Sequence, residues 1–121
     1  MDLSNLGFKD TTSVNITLPN GEPTDIRIEV AGQDSDEFRK AEVAKRNRRL
    51  KAAQKGKKVT AEQLDEEGLD LLINCTVSWA NVMWGTEELE CTPENVRKLY
   101  TEHPFIREQI DEAIADRTLF M

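Results

Sequence analysis

Little in this chain of 121 residues could build a metal centre or a disulfide framework. It has two cysteines, Cys75 and Cys91, and one histidine, His103. Zinc modules and small secreted scaffolds need larger sets of Cys and His. Long apolar runs are also missing. None exceeds three residues, as in Leu71-Leu72-Ile73, whereas a spanning helix needs about twenty. Asp2 stands where a signal peptide carries basic charge, and no apolar segment follows it, so the expected location is the cytoplasm in which the protein is made. Glycine-rich phosphate loops, dinucleotide fingerprints and nucleophile elbows are absent too. An enzyme is therefore not expected, and no cofactor or metal ligand set is assigned.

What is present fits one globular domain over residues 1–121, with 38% hydrophobic and 32% charged residues. Net charge is −7, and its distribution is uneven. Residues 39–58 hold ten of the sixteen basic residues and one acid, Glu42, so that segment is +9 and the remainder −16. Such asymmetry points to an electrostatic contact, with an outside partner or between copies of the chain.

The pattern predicts an α+β fold, helix dominant, with an N-terminal β-hairpin followed by about four α-helices. Val14, Ile16 and Leu18 alternate with polar residues, as do Ile26, Ile28 and Val30, and Pro19-Asn20-Gly21-Glu22-Pro23 lies between them. That is a hairpin over 13–31. Acids at Asp34, Asp36 and Glu37 open a basic helix over 36–54 with a thin apolar side. Residues 55–59 read as a mobile linker, and a helical core follows over 60–121. Thr60 and Gln63 form a capping box, with Val59 and Leu64 as a hydrophobic staple. From Leu64, apolar residues recur at helical steps through Leu71, Leu72, Cys75, Trp79, Val82 and Met83. This predicts a central helix ending at Gly85 as C-cap, with Trp79 in its core stripe and Trp84 exposed. Thr92-Pro93-Glu94 opens a third helix, and Pro104 a fourth that carries Ile106, Ile110 and Ile114.

Candidate chemistry is sparse. His103 reads as a cap or surface residue and Cys75 as a small core residue. Cys91 precedes a helix start, where a thiolate would be favoured, but nothing marks a partner for it. Asp65, Glu66, Glu67 and Asp70 form an acid cluster that reads as a solvated face in the first turns of a helix. The basic segment could neutralise several phosphates, although it has no aromatic residues for stacking on bases.

One stretch is more specific. Trp79-Ala80-Asn81-Val82, Gly85, Leu89, Cys91-Thr92-Pro93-Glu94-Asn95-Val96, Leu99-Tyr100, Pro104, Ile110 and Phe120 stand in a recognisable order. Over about residues 64–121 the chain resembles the tail assembly chaperones of long-tailed, siphovirus-type bacteriophages. The basic stretch 39–58 has no counterpart in that pattern. The resemblance implies a non-enzymatic viral protein of the host cytoplasm that self-associates, coats the tape measure protein and recruits tail tube subunits. It also implies absence from the mature virion, and a longer frameshifted form in many relatives. Candidate contact residues are Arg39, Lys45, Arg46, Arg48, Arg49, Lys51, Trp84, Phe105, Leu119 and Phe120. The alternatives are a nucleic-acid-associated accessory protein using residues 39–58, or a structural head or tail subunit retained in the particle.

Overall fold

The computed structural model describes residues 1–121, the side chain of Asn5 excepted. Strands β1 (Thr11–Thr17) and β2 (Pro23–Ala31) form the hairpin, in the register Ser13↔Glu29 and Val14↔Ile28. Its turn closes through Leu18, whose N–H donates to the Glu22 carbonyl at 2.8 Å. Gly21 supplies the positive φ of 90° that this turn needs. Even-numbered residues of both strands face inward, and Ile16, Ile28 and Val30 are fully buried.

Helix α1 (Asp36–Gln54) follows, then helix α2 (Ala61–Cys75). Thr60 and Gln63 do form the capping box of α2, while Val59 and Leu64 both stand about half exposed. Here the structure departs from the pattern. Helix α2 stops at Cys75 instead of running to Gly85, and Thr76–Ala80 becomes strand β3, antiparallel to β2. Sheet order is β1-β2-β3, so the hairpin gains a third strand. The reason is competition for β2. Its second edge would otherwise present unpaired backbone groups, and Thr76-Val77-Ser78-Trp79 has the β-branched and aromatic content that a strand favours. The Thr76 hydroxyl also donates to the Leu72 carbonyl at 2.8 Å, closing the last turn of α2. Trp79, Val82 and Met83 therefore lie outside any helix.

Asn81 takes the left-handed conformation (φ 65°) and turns the chain into a small hairpin of β4 (Met83–Trp84) and β5 (Glu87–Glu88). Gly85 serves that turn, at φ 63°, and not a helix end. Helices α3 (Pro93–Glu102) and α4 (Pro104–Ala115) complete the layer, followed by a 3-10 turn over Arg117–Phe120. Each begins with proline, where its missing N–H costs nothing. The core lies between the inner face of the sheet and the helices. Leu69, Leu72, Val96, Tyr100, Ile106 and Ile110 are buried there against Ile16, Ile28 and Val30. At the outer edge of β1, the Gln109 side chain of α4 mimics a strand: Oε1 accepts from the Thr17 N–H at 2.9 Å and Nε2 donates to the Thr17 carbonyl at 2.9 Å.

Candidate functional site

The basic segment becomes helix α1, and its start is well defined. Ser35 is buried; its hydroxyl donates to the Gly32 carbonyl at 2.6 Å and accepts from the Phe38 N–H at 3.2 Å. Asp36 and Glu37 then occupy the first turn, where the helix dipole favours acids. Beyond that point α1 buries none of its residues fully. It packs on α2, and its half-buried residues are Phe38, Ala41, Glu42, Lys45, Arg49 and Ala52.

The six basic candidates on α1 have separate fates. Arg39 stays local, 3.8 Å from Asp36 and donating to the Asp34 carbonyl at 3.1 Å. Lys45 pairs with Glu42 at 3.2 Å. Arg49 crosses to α2 and holds Glu67 at 2.8 Å. Arg46, Arg48 and Lys51 make no ion pair among the described residues.

In the acid cluster of α2, Asp65 and Glu66 face solvent as expected from sequence, whereas Glu67 and Asp70 are partly covered. Each of its carboxylates receives an arginine from another helix. Glu67 takes Arg49 of α1, and Asp65 takes Arg107 of α4 at 3.1 Å. Glu66 takes Arg97 of α3 at 2.5 Å, and Arg97 also pairs with Asp70. The Asp70 bond, aided by both charges, raises the Arg97 guanidinium further above its ordinary range. One acidic helix face thus fixes three neighbours by charge. Such exposed pairs contribute about 0–1 kcal/mol each, so they orient the helices more than they stabilise them. No sequence signal marks this, because the three arginines are scattered over 49–107.

The four apolar candidates also divide. Trp84 is 63% exposed, with the Lys98 ammonium 4.8 Å from its ring centroid. It stands beside exposed Met83 at a small pocket lined by Val82, Leu89 and Leu99 together with Asn95, Lys98, Glu102 and His103. Phe105 is half-buried, edge-on to His103 at 6.2 Å. Leu119 is half exposed. Phe120, expected as a surface contact, is 4% exposed and belongs to the core. The 3-10 turn folds it back, and its carbonyl accepts from the Lys9 N–H at 2.6 Å.

Titratable groups at the centre favour structure over reactivity. Burial pushes the Cys75 thiol up to about 11, helped by the carboxylates of Glu37 and Glu42. Burial also raises Cys91, the opposite direction to a thiolate-favouring site. Tyr100 is raised by burial although its hydroxyl shares a 2.7 Å hydrogen bond with Thr76. Among the described residues, no three His, Cys, Asp or Glu side chains gather as a metal site, and no helix is long and apolar enough to cross a membrane. Comparison with known proteins gives no match to any family model, curated protein or solved structure.

Proposed function

We propose that the chain is a non-enzymatic tail assembly chaperone of a long-tailed bacteriophage. In this reading it self-associates, shields the apolar stripes of a tape measure protein, and helps recruit tail tube subunits in the host cytoplasm before leaving the finished particle. The reading rests on the ordered residues from Trp79 to Phe120. The observation that carries it physically is the lip of Met83 and Trp84, both exposed, beside a small pocket against α3 that mixes apolar residues with Asn95, Lys98, Glu102 and His103. A helix with an apolar stripe is the kind of partner that such a lip accepts. The net charge of −7 would keep a coated complex dispersed.

Co-expression tests it. A long helical tape measure protein from the same genome should remain in the supernatant with the wild-type chain and co-elute with it. Trp84→Ala should reduce that recovery at unchanged melting temperature. No rescue by the wild-type chain would end this reading. The unpaired cations of α1 favour a second reading, binding to nucleic acid, for which micromolar affinity at physiological salt is the criterion.

A further inference from the structure

Helix α1 carries a face that no described residue covers. Away from the half-buried residues lie exposed Arg39, Val43, Arg46 and Leu50, at steps of four, three and four residues, which keeps them on one side of a helix. Val43 and Leu50 are 54% and 62% exposed. Lys40 and Lys51 flank them, and with Arg46 these make no ion pair among the described residues. Two aliphatic residues seven apart, rimmed by free cations, form a helix-docking face.

Its complement is on the same chain. The outward face of α4 carries Glu108, Asp111 and Glu112 around Ala115, all exposed. Among the described residues none of the three acids is ion-paired, and the one arginine of α4, Arg107, is committed to Asp65. Glu108 and Ala115 are also seven residues apart, so the two faces share a repeat of two turns, about 10 Å. Both faces are exposed in the isolated chain.

We propose that the outward face of α1 docks on the outward face of α4 in a second copy of this chain. Val43 and Leu50 cover Ala115 and the stems around it, while Arg46, Lys40 and Lys51 meet Glu108, Asp111 and Glu112. The two faces differ, so the contact is heterologous, and every copy keeps one free face of each kind. Copies add head to tail until a ring closes or a filament grows. A polyanion is the poorer occupant, because the centre of the α1 face is aliphatic and offers no ring for base stacking. The inference rests on the self-association in the proposed function but needs no tape measure protein.

The test is sedimentation velocity on the purified full chain alone, over a concentration series at low and physiological salt, with melting temperature as the check on folding. Wild type should grow in mass with concentration and shrink with salt. Arg46→Glu/Lys51→Glu should stay monomeric, as should Glu108→Lys/Asp111→Lys. Combining all four changes reverses both faces and should restore association to within about tenfold of wild type. A combined variant that stays monomeric but folded overturns the proposal, as does a wild type that is monomeric throughout. Wild-type monomers that bind a short RNA, with binding lost in Arg46→Glu/Lys51→Glu, also overturn it and assign the face to nucleic acid. Association as described without rescue of a tape measure protein would sink the chaperone reading and leave this contact standing.

Discussion

The ring of Phe120 lies so close to the backbone of Gly32 that a β-carbon at position 32 would stand 2.9 Å from the ring edge. This contact locks the C-terminal turn onto the end of β2, ahead of the capping residue of α1. The lack of a side chain at Gly32 is what admits the ring. Gly32→Ala should destabilise the fold by about 1–3 kcal/mol through overpacking, and Phe120→Ala by about 3–5 kcal/mol through the lost burial and cavity. The two are coupled. In a Phe120→Ala background, Gly32→Ala should be nearly neutral in denaturant unfolding. Additive losses would show that the ring does not occupy this position.

Alkaline stability follows from the buried proton donors. Native Cys75 keeps its proton to about pH 11, against an ordinary value of 9.0, and Tyr100 is likewise raised. Above their ordinary values the unfolded chain releases protons that the native chain retains, so unfolding becomes more favourable as pH rises. Stability from these groups is therefore complete below about pH 9 and is lost progressively above it. Tyr100→Phe should cost about 1 kcal/mol at neutral pH, from the hydrogen bond to Thr76, and flatten the loss above about pH 10. Denaturant midpoints across pH 7 to 11 measure both effects. An alkaline slope identical to wild type would remove Tyr100 as a source.

The two tryptophans should separate in fluorescence. Trp79 is half-buried in β3, and its indole N–H donates to the Leu89 carbonyl at 2.8 Å, whereas Trp84 is open to solvent. Iodide should quench the Trp79→Phe protein strongly and the Trp84→Phe protein weakly. Trp79→Ala should destabilise by about 2–4 kcal/mol. Trp84→Ala should cost under about 1 kcal/mol, since its exposed contact with Lys98 is worth little. Equal quenching of the two single-tryptophan proteins would contradict this arrangement.

Local chemistry determined much of the molecule from sequence alone. Alternation of Val14, Ile16, Ile28 and Val30, with Asn20-Gly21 between, is enough for a hairpin. The caps at Thr60 and Thr92, and the prolines at 93 and 104, are enough to start helices, because each satisfies or removes backbone donors within a few residues. The exposure of Trp84 and the uneven charge were legible in the same way. Tertiary structure alone decided three matters. The spacing of Cys75, Trp79 and Val82 suits a helix, but the open edge of β2 converts Thr76–Ala80 into a strand, and no local window contains that edge. Phe120 reads as a free aromatic end until Gly32, far away in the chain, supplies the space for its ring. The acids of α2 show no partners in sequence, and only the fold brings Arg49, Arg97 and Arg107 to them from three other helices. Backbone conformation answers first to neighbours along the chain, whereas burial and charge pairing answer to whatever the fold brings alongside.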